Sequence, residues 1–359
     1  MLSVQVKLLR NVGSRSSPLS CACRAYAATA AEKKRTKLIE VGRLEEQREA
    51  DYIPGQHFLH RVFGYRGVVL YPWKTKVFDR DTVDVEEVEA DDKRGTGQRV
   101  QHNVRGVHHT YYGVLIDETD WPYVTTFARY LDPDSHSSQT KDRTVLKTGF
   151  DQVAQEDVLP FAPSNGQPIT HSLFSSFFSS LQQAADQEQS AAAEGTQTQQ
   201  HTMHFVAKDL LRGWTKRVSE YLPLTDVHRK TTEGIRVTAI PFFMGREEGQ
   251  KADYLWRYVI RLENFTNETV TLRRRHWRIY SVSGRLEELT APGVVGQEPT
   301  LSPVHRAFQY SSQISLRSPS GHMWGSFTME RESGESFKVE IPAFTLESKL
   351  DQGNPTIFA

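Results

Sequence analysis

Trp256-Arg257-Tyr258-Val259-Ile260-Arg261-Leu262-Glu263 carries large apolar side chains at 256, 258, 260 and 262 and charged ones at 257, 261 and 263. Successive side chains of an extended chain point to opposite faces. The pattern is therefore that of an antiparallel strand with one face in a core and the other in water. Phe337, Val339 and Ile341 alternate with Lys338 and Glu340 in the same way. Turn signals at 264–267, Ser283-Gly284, Ser320-Gly321 and Ser333-Gly334 separate the runs. Roughly seven strands fit within about 115 residues, the signature of an immunoglobulin- or fibronectin-like sandwich.

One strand of that sandwich carries a break in parity. Val270 and Leu272 are apolar at even positions, whereas Trp277 and Ile279, beyond Arg273, Arg274 and Arg275, are apolar at odd ones. A regular strand cannot bury both pairs on one face. A β-bulge near 273–275 resolves the conflict with one extra residue; a strand whose halves face different layers is the alternative.

Toward the N-terminus the texture changes. Leu173, Phe174, Phe177, Phe178 and Leu181 recur at helical spacing, as do Leu210, Leu211, Trp214, Val218 and Tyr221. These predict two amphipathic helices that bridge the β domains. Between them, residues 182–200 form a Gln/Ala/Ser/Glu tract read as an insertion without fixed structure. From 55 to 71 two short β-favouring runs are punctuated by glycine and closed by Pro72-Trp73. Thr110–Ile116 and the stretch from Val153 to Pro160 add further strands, and polar loops at 79–101 and 132–143 separate the pieces. Short strands with no long intervening helix predict a small β-barrel with long loops over 51–163. Residues 164–224 then form the connector, 225–350 the sandwich and 351–359 a tail.

Residues 27–50, rich in Glu, Lys, Arg and Ala, are expected to be a flexible solvated arm. The first 26 residues contain Lys7, Arg10, Arg15 and Arg24, five serines and no acid. That is the composition of a mitochondrial presequence, and Leu2, Val6 and Leu9 add a modest helical spacing. Arg24-Ala25-Tyr26-Ala27 matches the matrix-peptidase pattern and places cleavage between Tyr26 and Ala27, which predicts the mitochondrial matrix. Cys21 and Cys23 both lie in the removed segment, so the mature chain is expected to lack thiols and the chemistry they support. Removing four cations from 44 leaves 40 Lys+Arg against 44 Asp+Glu. No global positive field would then drive nucleic-acid binding. The chain is 38% hydrophobic with no apolar run of about 18 residues, which argues against a membrane-spanning helix.

Arg275-His276-Trp277-Arg278-Ile279, Gly293-Val294-Val295-Gly296-Gln297-Glu298-Pro299, Phe308-Gln309-Tyr310-Ser311-Ser312, Gly321-His322-Met323-Trp324-Gly325 and Ile341-Pro342-Ala343-Phe344 together resemble an ApaG domain. Phe63-Gly64-Tyr65-Arg66-Gly67-Val68-Val69 and His109-Thr110-Tyr111-Tyr112-Gly113-Val114-Leu115-Ile116 resemble the YccV/HspQ type, whose bacterial members are described as hemimethylated-DNA binders and protease specificity factors. The order of the two domains resembles the polymerase delta-interacting protein 2 family over nearly all of 51–350, departing from it at 84–105 and 182–200. The resemblance implies a mainly β, non-enzymatic binding protein without cofactor. Implied partners are DNA polymerase delta, the clamp PCNA, a primase-polymerase and the matrix protease ClpXP, with the nucleus as a second location.

Among candidate sites, His171-Ser172-Leu173-Phe174-Ser175-Ser176-Phe177-Phe178 has the aromatic pair of a PCNA-interacting peptide, with His for the usual Gln and Phe for the aliphatic residue. Packing of Phe174 and Phe177 against a β domain explains the same spacing. Arg273, Arg274, Arg275 and Arg278, interleaved with Trp277, suit a partner surface or, less well, DNA. Gly293-Val294-Val295-Gly296 lacks the helix of a phosphate loop and is read as a turn or bulge. His57/His60 and His201/His204 lack a third ligand and are read as satisfied or surface histidines. No GxSxG elbow is present. A metal-dependent phosphate hydrolase on the ApaG face remains the enzyme alternative, and DNA binding through the YccV-like domain the other.

Overall fold

The computed structural model describes residues 5–10, 37–82, 84–85, 102–123, 129–131, 145–147, 149–164, 168–181, 204–246 and 253–348. The presequence cleavage point, the 182–200 tract and the 351–359 tail lie outside the described residues. At the N-terminus β1 (Gln5–Arg10) pairs antiparallel with β2 (Lys37–Leu44). The helical spacing around Val6 and Leu9 is thus not realised: the segment gains a backbone partner as a strand. The flexible-arm expectation is corrected over 37–44 as well, because β2 pairs onward, through Leu44, Arg43 and Gly42, with the later strand Val158–Pro163. Gly42 permits that approach, since a Cβ there would stand 2.4 Å from the Ala162 carbonyl oxygen.

β3 (His57–His60) leads into β4 (Arg66–Asp79), the spine of the molecule. Val68, Val69, Leu70 and Tyr71 are buried on both faces; beyond Pro72 the strand alternates, with Trp73, Thr75 and Val77 buried and Lys74 and Lys76 exposed. Pro72-Trp73 therefore does not end the strand. A register shift between Val69 and Tyr71, on the side where the strand Gly106–Ile116 pairs, relaxes the ladder just ahead of the proline. The short strands β5 (Asp84–Val85) and β6 (His102–Asn103) pair with each other, and β7 (Gly106–Ile116) returns along β4. β8 (Arg129–Leu131) pairs with β9 (Val145–Lys147), and β10 (Phe150–Ala154) and β11 (Val158–Pro163) complete the unit. The described strands form an open path, β2-β11-β3-β4-β7-β10, rather than a closed barrel.

In the connector, α1 is a single turn (Phe174–Phe177) that passes directly into β12 (Phe178–Leu181), paired with β13 (His204–Ala207). The predicted first helix therefore stops at Phe177. Phe and Ser are weak helix formers, and Phe178 to Leu181 gain a backbone partner as a strand. α2 (Asp209–Ser219) forms as predicted, with Leu211 buried and Leu210 largely exposed.

The C-terminal unit is the expected sandwich. One sheet runs β14 (Val227–Thr232), β15 (Ile235–Arg246), β16 (Tyr254–Asn264), and the other begins with β17 (Val270–Ser281) and β18 (Leu286–Pro292). β19 (Thr300–Leu301) pairs with β17, β20 (Ala307–Leu316) joins the first sheet beside β16, and β21 (Ser320–Arg331) and β22 (Ser336–Glu347) finish the second. Trp256, Tyr258, Ile260 and Leu262 meet Leu272, Trp277, Phe327, Val339 and Phe344 in one core. The other face of β16 is not in water: Val259 and Arg257 are buried there as well. The cause is that β14 pairs in parallel with β4 (Val227 with Val77, His228 with Phe78, Arg229 with Asp79), so the two β units share a sheet. Strand pairing thus joins the two units in addition to the connector.

Candidate functional site

β17 carries the bulge that the parity break requires. Leu272 pairs with Met329 and Arg274 with Thr328, which leaves Arg273 as the extra residue. Leu272 before it and Trp277 after it both enter the sandwich core. From Arg274 onward the even positions turn outward, so Arg274, His276, Arg278 and Tyr280 share the outer face. On the neighbouring strand Trp324 stands opposite Arg278 and His322 opposite Tyr280, the last two rings stacked at 6.5 Å.

Most of the arginine cluster is already engaged. Arg273 donates to Glu298 at 2.7 Å and to Glu330 at 2.9 Å, Arg275 donates to the carbonyls of Pro292 and Gly293, and Arg278 donates to Glu288 at 2.9 Å. Hydrogen bonds from Arg278 and His276 hold the Glu288 carboxyl below its ordinary range, and Arg273 does the same for Glu330. Arg274 is exposed to solvent. Beyond it, β18 pairs with β17 on one side only; among the described residues its outer edge meets no strand. Leu286 is 53% and Leu289 48% exposed on that edge, with Tyr280 and Val282 exposed nearby. An unpaired edge bearing apolar side chains is the surface to which an extended segment of another chain adds as a further strand.

Gly293-Val294-Val295-Gly296 closes β18 as a tight turn. Val294 and Gln297 exchange backbone hydrogen bonds of 2.8 and 2.9 Å, and Gly293, Val295 and Gly296 have φ of 51°, 43° and 74°. A Cβ on Gly293 would lie 2.2 Å from the Gln297 carbonyl oxygen, so only glycine fits. The turn reading accounts for the motif.

His171, Phe174, Phe177 and Phe178 are buried together. Phe174 meets Phe178 at 5.1 Å and Phe205 at 5.2 Å, and Phe177 stacks on Trp214 at 5.9 Å. His171 accepts the Leu173 N–H at 3.0 Å. Clamp binding through these rings requires the segment to leave the core. His57 and His60 are buried too, and His60 Nδ1 accepts the N–H groups of Val62 and Phe63. Burial lowers His57 to about 4; burial, with the Arg261 charge adding to it, lowers His60 to about 3. His201 lies outside the described residues.

A polar seam between the units went unread in the sequence. Arg261 donates to Asp157 at 2.7 Å and to Glu263 at 3.0 Å, and Arg229 donates to Glu156 at 3.0 Å and to the Tyr111 hydroxyl at 2.9 Å. Asp151 accepts from the Tyr65 hydroxyl and the Gln309 amide, each at 2.7 Å. Burial pushes the Asp151 carboxyl up against these bonds; at Asp157 burial pushes the same way, but the charges of Arg261, His60 and Arg229 and the Arg261 hydrogen bond together outweigh it and hold the carboxyl down. The local hint was two arginines flanking Val259, with Glu263 two residues beyond the second.

Residues 245–331 match the ApaG domain. Protein ApaG of Rhodospirillum centenum is 42% identical over 130 residues, 36% of this chain and 99% of that protein. The proteins named polymerase delta-interacting protein 2 in human and mouse are each 44% identical over 316 residues, which cover 85% of this chain and 78% of theirs. The chain belongs to the polymerase delta-interacting protein 2 family. Within this member of the family the ApaG match spans the bulge, the open edge and the turn that closes it, while β14, most of β15 and β22 complete the sandwich outside the match. The names of these family members describe an interaction rather than a reaction.

Proposed function

We infer that the chain is a non-enzymatic adaptor that docks other proteins on the open edge of its C-terminal sandwich. The observation that carries this reading is β18, a strand with an unpaired outer edge among the described residues, two half-exposed leucines, and Arg274 and Tyr280 beside it. The relatives' names support DNA polymerase delta as one partner class, and the family resemblance extends the reading to PCNA, a primase-polymerase and ClpXP. The buried carboxylates support binding over hydrolysis, because Asp151 and Asp157 are already committed to Tyr65, Gln309 and Arg261. The acid-free first 26 residues support a mitochondrial-matrix location with a mature N-terminus at or close to Ala27; terminal sequencing that finds an intact Met1 inside mitochondria rejects that reading.

Cross-linked pull-downs from mitochondria and nuclei, made separately with the parent chain and with Leu286→Lys/Leu289→Lys, test the docking edge. The parent is expected to recover protease or polymerase components that the edge variant loses. Equal recovery by both removes β18 from the mechanism.

A further inference from the structure

A cleft of about 390 Å³ opens between the two β units beneath α2. Its walls come from three parts of the chain: Tyr71 and Phe150 from the N-terminal sheet, Trp214 from α2, and Phe242 and Phe243 from β15. Trp214 meets Tyr71 edge-on at 5.5 Å and Phe150 at 5.3 Å, while Gly113 leaves the space that the Tyr71 ring occupies, since a Cβ there would stand 2.3 Å from it. The volume falls in the range, roughly 300–1,000 Å³, of sites that enclose small organic ligands.

The polar groups in this apolar wall are few and biased in sign. Arg217 from the last turn of α2 and Arg257 from β16 both line the cleft, the Arg257 guanidinium 4.5 Å over the Phe242 ring. The one acid of the lining, Asp151, has its oxygens taken by Tyr65, Gln309 and the Gln152 N–H. Thr225 also lines the cleft, and its buried hydroxyl has no hydrogen-bond partner among the described residues. A buried hydroxyl left unmatched is costly, and a ligand oxygen would satisfy it.

We propose that this cleft binds an organic monocarboxylate with an aromatic or branched apolar body. The ring walls take the body, and the two guanidinium groups and the Thr225 hydroxyl take the carboxylate. A neutral ligand of the same shape gains the apolar term and forgoes the charge-assisted hydrogen bonds. Binding here is independent of partner docking at β18, which belongs to the other sheet.

Isothermal titration of the full chain with 4-phenylbutyrate and with 4-phenyl-1-butanol tests this assignment. The acid is expected to bind at least about tenfold more tightly than the alcohol, the increment of a charge-assisted hydrogen bond. Arg217→Gln, a change at an exposed helix position, is expected to weaken the acid toward the alcohol and leave the alcohol unchanged. Val218→Trp, which fills the cleft, is expected to abolish both; if that variant fails to fold, Arg217→Gln alone decides. Equal affinities for acid and alcohol, no binding by either at millimolar concentration, or an acid affinity indifferent to Arg217→Gln overturns the proposal.

Discussion

β14 and β18 both flank the C-terminal sandwich, and they differ in what lies beyond them. β14, Val227-His228-Arg229-Lys230-Thr231-Thr232, is polar in composition, yet β4 seals it by parallel pairing and the charges around it find partners across the seam. β18, Leu286-Glu287-Glu288-Leu289-Thr290-Ala291-Pro292, is richer in apolar side chains, yet its leucines stand half in water. Composition alone would have ranked them the other way. A polar strand can be buried when each charge meets a matched one, and an apolar strand can stay open where another chain is to be received.

The sharpest break of this contrast is Arg261→Ala. It leaves the Asp157 carboxyl buried and without its guanidinium, a loss of about 3–5 kcal/mol in urea unfolding. Arg261→Met combined with Asp157→Leu and Glu263→Gln is expected to recover most of that loss, because Arg261 is bonded to both carboxylates and the cluster is matched rather than intrinsically stabilising. At the open side, Arg285→Ala removes an exposed ion pair with Glu287 and is expected to change stability by less than about 1 kcal/mol. Comparable losses at both places would mean that the seam is no more buried in solution than the edge.

Acid sharpens the same contrast with a smaller effect. His228 on β14 stacks on Phe78 of β4 at 5.2 Å, neither ring nitrogen has a hydrogen-bond partner among the described residues, and burial with the Arg80 charge lowers it from 6.5 to about 3. Below pH 6.5 the unfolded chain takes up a proton at this site that the folded chain refuses. The contribution is therefore intact above pH 6.5 and is lost, by up to about 1.4 kcal/mol per pH unit, as pH falls toward 3. Between pH 6.5 and pH 5 the parent should lose about 1.6 kcal/mol more than His228→Phe, which keeps the stacked ring. Parallel urea midpoints for the two proteins over that interval would remove His228 from the seam.

The legible and illegible parts of the fold separate along the same line. The alternation at Trp256, Tyr258, Ile260 and Leu262 and the parity change between Leu272 and Trp277 are local patterns, and both survive in the structure, the second as the bulge at Arg273. The opposite face of β16 was misread, because whether Arg261 is solvated or buried depends on Asp157, a residue far away in the chain. The first connector helix stopped short although Phe174, Phe177, Phe178 and Leu181 follow a helical period: Phe and Ser are weak helix formers, and pairing with β13, which no local pattern announces, gave 178–181 a backbone partner as a strand. The arginine cluster was legible as a cluster, but its commitment to Glu298, Glu330 and Glu288 was not. The cleft under α2 has no local signature at all, since its walls are assembled from three separate parts of the chain.

The smallest expected effect on stability bears most directly on the open edge. Leu286 pairs with Tyr280 and Leu289 with Trp277 across the β17–β18 ladder, yet both leucines stay about half exposed. Lysine keeps a comparable apolar stem along the strand and carries its charge into water, so the ladder to β17 can persist. A charged edge at the same time resists the addition of another strand. Leu286→Lys/Leu289→Lys should therefore unfold within about 0.5 kcal/mol of the parent in urea, as exposed substitutions do, while losing its partners. If the double variant instead loses several times that amount, the leucines are covered in the folded chain by a segment outside the described residues. The edge is then sealed as β14 is, and the docking reading falls with it.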